Sequence, residues 1–144
     1  MTPEDYVSYP IALAMKKAGF DELCYFYYTR KDAPNDHVWS TTSEEAPIDY
    51  NRSVYAGCSM PTLAQAQKWL REEWGIHINV CIYSDYSTDA DGKVCDRWDF
   101  WGFDLYAVSG GKRIEDGDGE YDSYESALSA GIAAALELIE EKGE

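Results

Sequence analysis

The strongest structural constraint in this sequence is the change in apolar spacing at Gly75. Before it, apolar residues recur every three or four positions, as on one face of a helix: Leu63, Ala66, Trp69, Leu70 and Trp74. After it, apolar residues occupy alternate positions, as on one face of a strand: Ile76, Ile78, Val80 and Ile82. Glycine readily adopts the left-handed conformation that ends many helices. We therefore predict a helix from about Pro61 to Gly75, followed directly by a strand over residues 76–84.

A second alternating segment predicts the partner of this strand. The Asp91-Gly92 pair favours a chain reversal within an acidic loop, and residues 98–108 alternate again. The face of this strand predicted to pack under the helices carries Trp101, Phe103, Leu105 and Ala107. The opposite face of the two strands is mixed and carries His77, Asn79, Cys81, Tyr83, Trp98, Phe100, Asp104 and Tyr106. A bulge, for which Gly102 is the candidate, would exchange the two faces beyond it.

Two further helices are predicted near the ends of the sequence. The first begins with Thr2 as its N-cap, is kinked or divided at Pro10, and ends at Gly19. The last begins with a capping box formed by Asp122 and Glu125. Its apolar stripe consists of Tyr124, Leu128, Ile132, Ala135, Leu136 and Ile139.

Short strands complete the predicted elements. Residues 23–29 are rich in aromatic side chains and favour a strand. The turn-rich region that follows predicts short strands around residues 38–42 and near Val54. The glycine pair at 110–111 predicts a tight hairpin turn that leads into a short strand at 112–114.

The order of these elements predicts an α+β fold: helix, strand, short strands, helix, strand, strand, short strand, helix. Hairpin connections make the sheet mainly antiparallel, and helices packed on such a sheet define the α+β class. A length of 144 residues fits a single domain, residues 1–144. From the second helix onward the order is similar to that of double-stranded RNA-binding domains. The basic stretch that those domains carry at the start of their last helix is replaced here by DSYESALSA.

The charge of the chain disfavours two classes of partner. Acidic residues outnumber basic ones 27 to 12, which gives a formal net charge of −15. Nucleic acids and anionic membranes both select for clustered Lys and Arg. The first residues, MTPEDYVSYP, lack the features of a signal peptide, and no apolar run reaches the roughly 18 residues of a membrane span. We expect a cytoplasmic protein without disulfides.

No arrangement of possible ligands in the sequence favours a metal site. His77 and Cys81 are four residues apart on one strand, hence separated by roughly 13 Å, and cannot share a zinc ion. Residues 87–98 match the middle of an EF-hand loop, but Ser87 and Trp98 stand where its first and last ligands are needed. We therefore assign no metal.

Cys58 is the candidate nucleophile of an enzymatic alternative. It precedes the second helix, whose dipole can lower the pKa of a thiol. A base would be His77 or His37, and neither spacing is diagnostic. A buried thiol is the simpler interpretation, because free cysteine usually behaves as a small hydrophobe. No catalytic residue and no cofactor is assigned.

The mixed face of the two long strands admits two interpretations. In the first, the N-terminal helix and residues 30–57 cover it, and its tyrosines and tryptophans keep their polar tips near water. In the second, part of the face is open and binds a partner, a ligand or a second copy, because interfaces favour Tyr and Trp. The candidate partner-binding residues are then His77, Tyr83, Trp98, Phe100 and Tyr106.

Three segments carry a resemblance to a known family: AGFDELCYFYY (18–28), PTLAQAQKWLREEWGIHINV (61–80) and YDSYESALSAGIAAALELI (121–139). They resemble a family of small uncharacterised proteins encoded by phages and mobile elements of gut Bacteroidetes. The resemblance implies a bacterial or phage cytoplasmic setting and an accessory protein that acts on a host or phage partner. It implies no particular activity and no site residue.

These observations favour a small acidic accessory protein that contacts an unidentified protein partner, with a homo-oligomer as a further form of association. Two alternatives stay open. One is a small enzyme that uses Cys58 or an acidic cluster. The other is an acidic mimic or inhibitor of a nucleic-acid-binding or defence protein, which predicts carboxylates arrayed on one face, drawn from residues 85–99, 115–125 and the C-terminal acids.

Overall fold

The computed structural model describes residues 5–28, 38–40, 47–52, 57–107, 113–116 and 121–142, with backbone alone for 38–40, 113–116 and Lys142. In chain order these residues form α1 (Tyr9–Lys17), β1 (Phe26–Tyr28), β2 (Val38–Ser40), a 3₁₀ turn (Tyr50–Arg52), β3 (Cys58–Ser59), α2 (Leu63–Trp74), β4 (Ile76–Thr88), β5 (Val94–Ala107), β6 (Arg113–Asp116) and α3 (Tyr124–Lys142). The predicted α+β class with mainly antiparallel strands is confirmed.

The strands divide between two antiparallel sheets, where the sequence predicted one. The smaller sheet has the order β2–β1–β3, and the larger has the order β4–β5–β6. The unpredicted strand is β3, which places Cys58 opposite Tyr28. The predicted strand near Val54 and the predicted turn at 110–111 lie outside the described residues.

The larger sheet carries the predicted core face. Its buried residues include Ile78, Phe103 and Leu105, and α2 and α3 pack on it. The sheet and α3 approach closely at Gly131, where an added Cβ atom would lie 2.7 Å from Cγ2 of Ile78. The helix can approach the sheet this closely because glycine has no side chain.

The first helix begins later than predicted. It starts at Tyr9, so Pro10 lies in its first turn and does not kink it. A proline is accommodated there because the first N–H groups of a helix have no partner within the helix. The helix is followed, as predicted, by Gly19 in the left-handed region at φ 96°. The predicted N-cap, Thr2, lies outside the described residues.

The other helix ends are fixed by specific caps. The hydroxyl of Thr62 accepts the N–H of Gln65 at 3.1 Å at the start of α2, and Gly75 ends α2 at φ 65° as predicted. At the start of α3 the predicted cap is wrong by one residue. The hydroxyl of Ser123, rather than the carboxylate of Asp122, accepts the backbone N–H of Ser126 at 3.1 Å. This N–H is one of those in the first turn that have no partner within the helix.

Candidate functional site

The long hairpin of β4 and β5 extends beyond the part of the sheet that the helices cover. Residues 82–99 are exposed apart from Ser87, which is half-buried, and Phe100 is half-buried as well. We call residues 82–100 the hairpin arm. Its β4 portion reaches roughly 20 Å along the strand, at about 3.3 Å per residue. The sequence predicted an acidic loop over much of this segment, but the strands continue through it.

The tip of the arm is closed by an aspartate-centred turn. A carboxylate oxygen of Asp89 accepts the backbone N–H groups of Asp91 and Lys93, each at 2.9 Å. Gly92 adopts φ 82°, where other residues are strained. The aspartates that resemble part of an EF-hand loop therefore have a structural role, because the carboxylate of Asp89 stabilises the chain reversal by accepting backbone N–H groups.

The arm brings together three of the five candidate partner-binding residues. Tyr83 lies opposite Phe100, and their rings stack with centroids 5.5 Å apart. Trp98 lies opposite Asp85, two pairs further toward the tip. It is on the same face, because alternate positions of a strand share a face.

The other two candidates lie elsewhere on that face. His77 is opposite Tyr106, and both are half-buried. His77 and Tyr83 are six positions apart, a span of roughly 20 Å along the strand. The five residues therefore share a face as predicted but form two groups, and only the group containing Trp98 belongs to the arm.

The structure changes the expected role of the first helix. In one of the two interpretations it covers the mixed face together with residues 30–57. In the structure α1 packs against α3 and β3, and most of residues 30–57 lie outside the described residues. Within the inner half of the mixed face, Asp104 is buried. Exposure of the mixed face is thus concentrated at the arm.

Sequence patterning missed the second apolar surface of the arm. Ile82, Tyr86 and Val94 are 56%, 59% and 55% exposed, on the face that carries the core residues further back. Ile82 keeps the predicted parity, but the helices do not reach it. The signal that could have identified this surface is the length of the alternating pattern in β4. A strand of this length extends further than α2, with its twelve residues, can cover.

The arm is acidic as well as apolar. It carries Asp85, Asp89, Asp91, Asp96 and Asp99 against Lys93 and Arg97. The carboxylates are not confined to one face: Asp96 pairs with Ser87 on the face of Trp98, whereas Asp99 is on the other face and accepts the hydroxyl of Ser84.

The structure places Cys58 in an environment that suppresses thiol reactivity. Cys58 is fully buried in β3. Burial raises its pKa from 9.0 to about 11, although Lys16 lowers it. Burial likewise raises the pKa of Cys24 to about 12. The alternative in which the helix dipole activates Cys58 loses support because desolvation dominates, and the simpler interpretation of a buried thiol agrees with the structure.

Among the described residues, no three His, Cys, Asp or Glu side chains lie close enough together to hold a metal ion. A groove of about 490 Å³ between α1, α2 and α3 is lined mainly by apolar residues, with Lys17 and Glu140 as its charged members. Its lining contains neither cysteine nor histidine.

None of the described helices is both long and apolar enough to cross a membrane. Comparison of the chain with protein-family models, with curated proteins and with solved structures finds no significant match.

Proposed function

We propose that this protein acts by binding another protein through the hairpin arm. The observation that carries the proposal is the exposure of large apolar side chains on both faces of the arm: Ile82, Tyr86 and Val94 on one, Tyr83 and Trp98 on the other. Exposed apolar patches commonly mark interaction sites. Tyrosine and tryptophan are also the residues that contribute most to binding energy at protein interfaces.

The charge and the chemistry of the described residues support a protein partner over the alternatives. A net charge of −15 opposes contact with phosphate backbones. The enzymatic alternative loses support because Cys58 is buried and its pKa is raised. The structure adds no support for the acidic mimic, which requires carboxylates arrayed on one face, because Asp96 and Asp99 lie on opposite faces of the arm. The proposal keeps the cytoplasmic setting that the sequence predicts.

Two tryptophans of nearly equal exposure provide a matched test. Trp98 in the arm is 43% exposed, and Trp74 at the end of α2 is 42% exposed. The wild type, Trp98→Ala and Trp74→Ala would be used to capture proteins from a lysate of the source organism. We expect one protein to be retained by the wild type and by Trp74→Ala but depleted with Trp98→Ala. Equal capture by Trp98→Ala and the wild type would contradict the proposal.

A further inference from the structure

The outer edge of β4 is available for pairing. β4 is the first strand in the order β4–β5–β6, and no described strand pairs with its other edge. Edge strands are usually protected by lysine, proline or a bulge, because their N–H and C=O groups can pair with another chain. β4 contains neither lysine nor proline, and its bulge lies at the end, between Ser87 and Thr88. Asp85 is its only carboxylate.

The direction of the backbone groups on this edge follows from the opposite side of the hairpin. Trp101 donates its N–H to the carbonyl of Tyr121 and accepts the N–H of Tyr121, both at 2.9 Å. The backbone groups of Trp101 therefore point away from β4. Ile82 lies directly opposite Trp101, so this is a non-hydrogen-bonded pair, and the N–H and C=O of Ile82 point to the open edge.

Two side-chain contacts confirm this direction. The amide of Gln67 donates to the carbonyl of Ile78 at 3.0 Å, and the N–H of Tyr86 donates to the carboxylate of Asp85 at 2.8 Å. Ile78 and Tyr86 are each four residues from Ile82 and have the same orientation.

These contacts partly close the edge at both ends. Between them, Val80, Ile82 and Ser84 direct one N–H and one C=O each to the edge, and no described residue bonds to these groups. Ile82 and Tyr83 place apolar side chains on the two faces beside them. The edge therefore offers backbone pairing flanked by apolar contacts, which is the arrangement used in recognition by strand addition.

We propose that the β4 edge over residues 80–86 binds an extended, basic segment of a partner protein as an added β-strand. This inference rests on the proposed function and specifies the mode of binding and the chemistry of the partner. Lysine and arginine side chains of the added strand would alternate with its apolar residues, and would lie near Asp85 of β4 and the other carboxylates of the arm.

Charge decides between a basic partner and a second copy. The arm has five aspartates against one lysine and one arginine, within a chain of net charge −15. Pairing β4 with β4 of a second copy would bring two such arms together, and like charges across an interface oppose association. A cationic segment gains from the same field.

The test uses a substitution that removes one edge donor. Ile82→Pro deletes an outward N–H, which leaves the pairing with β5 intact because proline is tolerated where an edge N–H faces solvent. Ile82→Thr is the control, since it keeps the N–H and suits a strand while removing apolar surface. A display library of random peptides long enough to form one strand is selected on the wild type, and the enriched peptides are titrated against all three proteins.

We expect enriched peptides with Lys or Arg at alternate positions, bound about tenfold more weakly by Ile82→Pro than by Ile82→Thr. In the wild type, hydrogen exchange at the amides of Val80, Ile82 and Ser84 should slow when such a peptide binds, a readout that does not require Ile82→Pro to fold. Absence of enrichment, selection of acidic peptides, or unchanged exchange at these amides would overturn the proposal. So would a wild-type dimer that Ile82→Pro converts to monomer, because the occupant would then be a second copy.

Capture from lysate separates the failure of this inference from failure of the proposed function. If a captured partner depends on Trp98 but binds well-folded Ile82→Pro as it binds the wild type, the arm binds a protein but strand addition is wrong. If neither substitution changes what is captured, both proposals are wrong. Loss of the partner from Trp98→Ala and from Ile82→Pro, with a smaller loss from Ile82→Thr than from Ile82→Pro, is the result expected.

Discussion

Tyr83 and Phe100 stack across the β4–β5 pair with their ring planes inclined by 22°. They lie directly opposite each other on the two strands, where side chains of an antiparallel pair come into contact. The stack lies on the arm, away from the helices, so it orders the two strands while leaving Tyr83 41% exposed. An ordered binding surface loses less conformational entropy on association than a flexible one.

A double-mutant cycle on this pair measures how strongly the stack orders the arm. We expect Tyr83→Ala and Phe100→Ala each to lower the free energy of unfolding by about 1 kcal/mol, with a coupling of about 0.5–1.5 kcal/mol, the range of aromatic pairs. Denaturant unfolding of the wild type, both single variants and the double variant provides the four values. Additive effects would show that the rings do not interact.

The start of α3 allows a paired test of capping. Ser123→Ala should destabilise the protein by about 1 kcal/mol, because it removes the acceptor for the N–H of Ser126. Asp122→Ala is the matched control and should change the free energy of unfolding by less than about 0.5 kcal/mol, as expected for an exposed residue outside such a contact. A larger destabilisation by Asp122→Ala than by Ser123→Ala would show that Asp122 is the N-cap.

Gly131 tests the close packing of α3 on the large sheet. In Gly131→Ala the new methyl group would meet Cγ2 of Ile78 at 2.7 Å and the ring of Phe103 at 3.3 Å. The side chain of Ile78 can move little to make room for this methyl group, because a β-branched side chain is restricted at χ1. We expect overpacking of about 1–3 kcal/mol to exceed the gain of about 1 kcal/mol in helix propensity. Thermal unfolding measures the net change, and a higher melting temperature would contradict this packing.

The raised pKa of Cys58 should make the folded protein less stable in alkaline solution. Its pKa rises from 9.0 to about 11 in the folded protein, so above pH 9 the unfolded chain releases this proton while the folded chain retains it. The free energy of unfolding therefore falls as the pH rises from about 9 to about 11, by at most about 1.4 kcal/mol per pH unit from this group.

The variant Cys58→Ala isolates that contribution from the other groups that titrate in the same range. The stability of the wild type relative to Cys58→Ala should decrease between pH 9 and pH 11, as measured by denaturant unfolding at each pH. A difference that stays constant with pH would show that Cys58 titrates normally in the folded state.

The strand faces were predictable because side-chain alternation is a local property of an extended chain. The parity of Ile78, Phe103 and Leu105 held for this reason. Where the helices stop covering the sheet is a tertiary property, so the alternating pattern placed Ile82 on the core face but could not reveal its exposure. Residues 85–88 and 94–97 were misread as loop because aspartate is depleted in strands, whereas pairing along the hairpin overrides that preference. The reversal at Asp91-Gly92 was predicted correctly.

The predicted starts of the first and last helices were wrong for a different reason. Several residues near a helix terminus are chemically able to cap it, and one hydrogen bond decides among them. Ser123 and Asp122 are adjacent and both are good N-caps. Pro10 suits both a kink and a first turn. The choice depends on where the tertiary packing places the first helical residue.

Photo-crosslinking from two tyrosine positions tests the central claim most directly. Tyr86 in the arm is 59% exposed and Tyr25 outside it is 57% exposed, so p-benzoylphenylalanine can replace either with a similar change. After irradiation of cells that express each variant, we predict a specific crosslink to another protein from position 86 and none of comparable yield from position 25. Equal labelling from both positions, or a partner crosslinked only from position 25, would contradict the assignment of the arm as the binding surface.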